Sequence, residues 1–220
     1  MKHRPSRPDR LRIVRMPVSK DPDEGIEELS ARERIYCEMA VVKTRWTEWI
    51  AGRRAARKAV SGLLGPGFAP RPDTWDILPG PPGDPRVHGT PRPVWVSITH
   101  AAGVAVAVAS FSPVGADLER PVRPLGPEDA PFLLPHEAKK VWALPPGRRS
   151  KLVTTFWTLK EAAAKAVGLA VSPYEIVVRL AAYDRTAKVT LPGQPPLDGW
   201  VQKLGPCLLA VVRGPVKGIA

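Results

Sequence analysis

The spacing of apolar and polar positions changes several times along the chain, and each change marks an element. Residues 11–17, "LRIVRMP", mix β-branched and apolar residues with arginine and read as a first strand. From Gly25 to Gly65 apolar residues recur at helical spacing, and the segment ends on Gly65 with Pro66 beyond. So long a helical stretch predicts internal breaks, whose positions the pattern leaves open. "VWVSI" and "GVAVAVASF" are β-rich and flank "THAAG", which predicts a strand, a tight bend and a strand. "VGADLE" is a further short strand. "GPEDAPFLLPHEAKKVWAL" and "SKLVTTFWTLKEAAAKAVG" are helical, and "YEIVVRL", "AKVTL" and "PCLLAVVRG" close the chain as strands.

The order strand, helices, strands runs to about residue 112 and begins again at 113. In that repeat "GVAVAVAS" and "PCLLAVVR" are counterparts. The expectation is an α+β protein of two pseudo-symmetric halves, 1–112 and 113–220. The 27 prolines concentrate in "GPGFAPRPDTWDILPGPPGDPRVHGTPRP" and "LPGQPPLDGW", read as rigid connectors because Trp and Ile interleave with them.

Composition narrows the setting. With 220 residues and 44% hydrophobic content there is material for one large or two small cores. No run of eighteen apolar residues is present, so no membrane span is expected, and the basic start "MKHRPSRPDRLRIVRM" lacks the apolar stretch of a signal peptide. A cytoplasmic, monomeric protein is expected. Cys37 and Cys207 have no metal-ligand spacing and are read as reduced packing residues. Lys and Arg number 33 against 21 Asp and Glu, a net charge of +12, which favours anionic partners.

Four stretches carry candidate chemistry. In "VGADLE", Asp117 and Glu119 lie two apart on a strand, so both carboxylates share one face; such a pair suits a divalent cation. In "FWTLKEAAAKAVG", Trp157, Glu161 and Lys165 are four apart on one helix face, with Lys160 adjacent. Glu161 is a candidate third carboxylate, and the two lysines are candidate phosphate partners. In "VSITHAAG", His100 closes a strand among small residues that would admit a ligand closely. In "RWTEWIAGRRAARKAV", Arg45 and Arg53 are eight apart and Arg57 continues their row. Taken singly, each has an ordinary explanation as a solvated strand end, a surface ion pair, a turn histidine or a basic helix face.

Taken together, "GTP" at 89–91, "VSITHAAG", "VGADLE" and "FWTLKEAAAKAVG" resemble the signature of the Sfp-type 4′-phosphopantetheinyl transferases. That signature reads Gly-x-Pro, Ser-x-Ser-His-Ser, Gly-[Ile/Val]-Asp-[Ile/Leu]-Glu and Trp-[Ser/Thr]-x-Lys-Glu-Ala-x-x-Lys, and "EWIAGRRAARKAV" resembles the family's upstream arginine helix. Thr99 and Ala101 stand where serines are usual, and Thr90 where a basic residue is frequent. The resemblance implies two α+β halves with the active site between them. It implies transfer of phosphopantetheine from coenzyme A to a serine of an acidic apo carrier protein, with release of 3′,5′-ADP. On that basis Asp117, Glu119 and Glu161 would surround Mg²⁺, and Glu161, Lys165 and Asp117 would be catalytic. Arg45, Arg53, His88, Gly89, Thr90, Pro91, Thr99 and His100 would hold coenzyme A, with Lys160 and Lys165 neutralising phosphate charge. A basic nucleic-acid-binding protein is the competing reading, but it leaves the three carboxylates without a role; an inactive coenzyme A-binding scaffold is a third.

Overall fold

The computed structural model describes residues 10–66, 68, 72–81, 83–122, 126–168, 170–181 and 185–215. Most of the basic N-terminal segment, and parts of the first proline-rich connector, lie outside them. In the first half come β1 (Leu11–Pro17), α1 (Ala31–Ala40), α2 (Trp46–Leu64), β2 (Asp76–Pro79), β3 (Pro85–His88), β4 (Trp95–Ala101) and β5 (Val104–Ser110). In the second come β6 (Val114–Glu119), α3 (Pro135–Trp142), α4 (Pro146–Val167), β7 (Val177–Leu180), β8 (Thr186–Thr190), β9 (Leu197–Leu204) and β10 (Cys207–Arg213).

The strands form two antiparallel five-stranded sheets, ordered β1-β5-β4-β3-β2 and β6-β10-β9-β8-β7. Exchanging one half for the other leaves the order unchanged, and β5 and β10 occupy the same place, as "GVAVAVAS" and "PCLLAVVR" predict. The α+β fold of two similar halves is therefore what the chain adopts.

Strand alternation builds the layers. On β5 the valines Val106 and Val108 face the second sheet, where they meet Ala116, Leu118, Leu209 and Val211. Ala107 and Ala109 face the other way, against Ala55, Ala56 and Ala59 of α2. Small residues on both surfaces let helix and sheet pack closely. On β10, Leu208, Ala210 and Val212 pack under α4. The order is α2, sheet, sheet, α4.

The repeat extends to buried charge. Glu33 of α1 accepts from the backbone N–H of Ser30 and of Ile77 on β2, and pairs with Arg57 of α2 at 3.0 Å. Glu137 of α3 accepts from Leu134 N–H and from Val178 N–H on β7, and pairs with Lys160 of α4 at 2.8 Å. In each half a carboxylate ties the short helix to the sheet's far edge strand and to the long helix. Both glutamates and Lys160 are completely buried, which such groups tolerate only when paired.

The expected break in the helical stretch falls at residues 41–45, where Val41 is extended and a short turn covers Lys43–Arg45. Three other expectations change. "THAAG" is not a bend: β4 continues through His100 to Ala101, and only Ala102 and Gly103, at φ 50° and 72°, make the hairpin turn. Pro131 and Pro135 restrict the first helix of the second half to α3, since proline cannot donate to an interior turn. The connectors contain β2, β3 and β9, whose prolines lie at strand ends or outside the strands.

Candidate active site between the halves

β6 is an edge strand, and its outward N–H groups are covered from the other half. Ser97 Oγ accepts from Ala116 N–H at 2.9 Å, and Thr99 Oγ1 accepts from Leu118 N–H at 3.0 Å. Two hydroxyls of β4 thus hold β6 where an open edge would otherwise need capping. On its other side β6 meets α4 at very short range. A Cβ on Gly115 would fall 1.9 Å from the Ala162 carbonyl oxygen, so only glycine allows this approach. That contact sets α4 directly over the next residues on the same face, Asp117 and Glu119.

The face of α4 bearing Trp157, Glu161 and Lys165 is the one that meets them. The Trp157 indole N–H donates to Glu119, and Lys165 Nζ donates to Asp117 Oδ1 at 2.6 Å. Glu161 sits between, within electrostatic reach of Lys165 and Asp117. Trp157 also packs on Phe132, with ring centroids 4.9 Å apart. Burial, then the charge of Asp117, holds the Glu119 carboxyl above the usual carboxylate range, against the Trp157 hydrogen bond and Lys165. Burial likewise raises Glu161, with Lys165 opposing and Asp117 adding. Lys165 thus contacts Asp117 and acts electrostatically on Glu119 and Glu161.

Among the described residues no group of three or more His, Cys, Asp or Glu side chains is close enough to hold a metal ion unaided. The donor set still suits a cation. Asp117 Oδ2 is buried without a hydrogen-bond partner, and its neighbours Glu119 and Glu161 are short of positive charge. Mg²⁺ commonly takes only one or two protein carboxylates and completes its shell with phosphate oxygens and water.

A pocket of about 440 Å³ lies on the first half, lined by Arg45, Glu48, Trp49, Gly52, Arg53, Gly83, Pro85 and His100 among others. Arg53 is only 7% exposed, stacks 4.7 Å from the Trp49 ring and leaves its Nε without a partner. Burial lowers its pKa to about 10. A buried guanidinium so placed calls for an anion. At the rim, Glu48 Oε2 lies 2.9 Å from His100 Nε2. Arg45 lies 3.8 Å from the same carboxylate and 3.4 Å from the same ring nitrogen. A second, larger pocket of about 920 Å³ shares Gly83, Pro85 and Ile98 with the first and runs between β4 and the C-terminal end of α4, where Lys165 lines it.

Asp117, Glu119, Glu161 and Lys165 thus come together, and Arg45, Arg53 and His100 form a second cluster around the smaller pocket; of the first group, Lys165 lines the larger pocket, which shares a wall with the smaller. Other expected site residues go elsewhere. Lys160 is fully buried: its Nζ donates to Phe132 O at 2.7 Å and Pro173 O at 3.0 Å besides pairing with Glu137, so it is a core residue and not a phosphate partner. Thr99 is buried, and its hydroxyl serves β6 and, at 3.4 Å, Asp117. Arg57 leaves the arginine row for Glu33 and the Trp75 ring. His88, Gly89, Thr90 and Pro91 line neither pocket; an earlier Gly-x-Pro, Gly83-Asp84-Pro85, lines the larger one and contributes Gly83 and Pro85 to the smaller. The pattern occurs three times in this connector, at 80–82, 83–85 and 89–91, and the shared wall of the pockets singles out the middle copy. Glu48 was not foreseen either. Its signal was its place three residues after Arg45, on the same helix face.

Residues 113–198 match the 4′-phosphopantetheinyl transferase superfamily, designated ACPS. That segment runs from the start of β6 into β9 and holds Asp117, Glu119, Glu161 and Lys165. The chain is also similar to the crystal structure of Helicobacter pylori holo-[acyl-carrier-protein] synthase (AcpS) in complex with coenzyme A, at 20% identity and a TM-score of 0.37, over 46% of this chain and 97% of that one. No curated protein matches. No helix among the described residues is long and apolar enough to cross a membrane.

Proposed function

We propose that the chain is an Sfp-type 4′-phosphopantetheinyl transferase, moving phosphopantetheine from coenzyme A to a serine of an acidic apo carrier protein. The observation that carries this is the α4 face Trp157–Glu161–Lys165 lying over Asp117 and Glu119, with Lys165 lining a pocket that shares a wall with the one lined by the buried Arg53. The superfamily match over the segment with the carboxylates supports it. The halves 1–112 and 113–220 divide the work, the first holding the nucleotide end and the second performing the transfer.

In this reading Arg53, Arg45 and His100 bind the 3′-phosphate, Lys165 neutralises the pyrophosphate, and the larger pocket takes the pantetheine arm. Asp117 and Glu119, with Glu161 nearby, would hold Mg²⁺, which supplies charge neutralisation at the pyrophosphate when bound. The carrier serine oxygen attacks the phosphorus bearing pantetheine. A new O–P bond forms, the pyrophosphate P–O bond breaks, and 3′,5′-ADP departs with the electron pair. Glu161 accepts the serine proton; its raised pKa makes it a better base than an ordinary carboxylate. Such a transfer depends on alignment and charge neutralisation more than on covalent help. The protein acts as a cytoplasmic monomer without nucleic acid, and its +12 charge steers acidic carriers to it.

The test is incubation with coenzyme A, Mg²⁺ and a panel of apo carriers, read by intact mass. Gain of the phosphopantetheine mass, abolished by EDTA, is expected. No gain on any carrier, with or without Mg²⁺, would overturn the assignment.

A further inference from the structure

The smaller pocket contains its own anion. Glu48 is the sole carboxylate lining it among the described residues, and Oε2 lies 2.9 Å from His100 Nε2, the nitrogen that Arg45 also approaches. A ring nitrogen offers one site. The close carboxylate contact requires Nε2–H as donor, which bars Nε2 from accepting an Arg45 hydrogen bond at the same time. The same N–H is what an incoming phosphate would need. Arg45, 3.8 Å from Glu48, is held toward the same carboxylate. Arg53, deeper and with its Nε unpartnered among the described residues, is not.

From this arrangement we infer that Glu48 is an internal stand-in for phosphate: its carboxylate holds His100 and Arg45 when the pocket is empty and must swing out when the 3′-phosphate of a nucleotide enters. Glu48 and His100 are both partly exposed, at 40% and 33% of their side chains, so the exchange needs no unfolding of the helix. The consequence is a site tuned for release. The stand-in weakens binding of the bisphosphate product and shortens its stay, while Arg53 retains discrimination for the phosphate. The inference rests on the reading of this pocket as the 3′-phosphate end of coenzyme A.

Calorimetry with adenosine 3′,5′-bisphosphate and with 5′-AMP, which lacks the 3′-phosphate, tests it on the full chain. Glu48→Gln is expected to bind the bisphosphate about fivefold more tightly, as suits loss of one partly exposed competing ion pair, and 5′-AMP unchanged. Glu48→Ala is expected to shift the same way. Product inhibition by the bisphosphate should strengthen by the same factor. Equal or weaker bisphosphate binding by both variants overturns the inference and makes Glu48 a residue that positions His100. If the wild-type protein binds bisphosphate and 5′-AMP alike, and Arg53→Ala changes neither, the phosphate reading of the pocket itself falls, and the inference with it.

Discussion

Replacing Lys160 by methionine separates a core role from a substrate role. Its ammonium is enclosed by Glu137 Oε2 at 2.8 Å, Phe132 O at 2.7 Å and Pro173 O at 3.0 Å, and both members of the ion pair are completely buried. Methionine fills most of the volume but leaves Glu137 charged and buried, with only the Leu134 and Val178 N–H groups for support. Breaking a buried pair by removing one partner costs about 3–5 kcal/mol. Against a total stability of roughly 5–15 kcal/mol the variant should still fold. In a chain of this size the loss corresponds to a Tm lower by roughly 6–20 °C. The double variant Lys160→Met/Glu137→Gln removes both charges and should recover a substantial part of the loss, because no uncompensated ion remains. Urea unfolding gives the stability, and calorimetry at low temperature gives coenzyme A affinity for the folded protein. Expected is a large stability loss, partial rescue in the double variant, and near-native affinity. A Lys160→Met protein of native stability that binds coenzyme A tenfold more weakly would refute the reasoning and return Lys160 to the phosphate.

Three further outcomes follow from the site. Glu161→Gln keeps size and loses basicity, so turnover should fall by roughly two to four orders of magnitude while calorimetry finds coenzyme A binding intact; in the wild type, the acid limb of the pH–rate profile should lie above the ordinary carboxylate range, because Glu161 is raised. Glu119 is also raised, so the native state holds its proton more tightly than the unfolded chain and stability falls as pH rises through and above the ordinary carboxylate range. Glu119→Gln should therefore have a higher Tm at pH 7, no such gain once wild-type Glu119 is itself protonated in acid, and no thermal response to Mg²⁺, where the wild type gains stability from it. Gly115→Ala places a methyl group against the Ala162 carbonyl and should cost at least about 3 kcal/mol by denaturant unfolding, since neither backbone can yield easily.

Much of this was legible in the residues. β1, β6 and β10 read directly because apolar and β-branched runs end at prolines, glycines or charges. The carboxylates were legible because strand period two and helix period four each put their residues on one face. What could not be read was which face pointed where. Lys160 and Lys165 look alike in "LKEAAAK", yet they differ by five positions, which turns one into the core and the other over β6. β9 was hidden because "LDGW" follows two prolines and carries Gly199, which fits there because Leu159 packs close above it. The repeated Gly-x-Pro was undecidable because all three copies in the first connector satisfy the pattern, and only the fold brings Gly83 and Pro85 to His100's pocket.

The internal repeat explains why the site has two unlike clusters. The hairpins β4–β5 and β9–β10 close at equivalent pairs, Ala101↔Val104 and Leu204↔Cys207. Counting from those turns, Ala107 corresponds to Ala210, and their partners on the edge strands are Val14 and Asp117. By the same register Met16 stands where Glu119 does, and Arg12 where Gly115 does. The first half therefore has apolar side chains at the positions that carry carboxylates in the second. At Gly62 of α2, Arg12 fills space that the Gly115 contact leaves no room for: its Nε donates to Gly62 O at 3.1 Å. The two edge strands also differ in exposure, since Ser97 and Thr99 of β4 cover only β6. A catalytic pair needs that cover, because burial raises Glu119 and Glu161 and leaves Asp117 Oδ2 free for a cation. The first half contributes its long helix and β4 instead, with Arg53 and His100 at the neighbouring pocket. A fold built twice thus supports a site built once, with the acidic cluster on one copy and the basic pocket on the other.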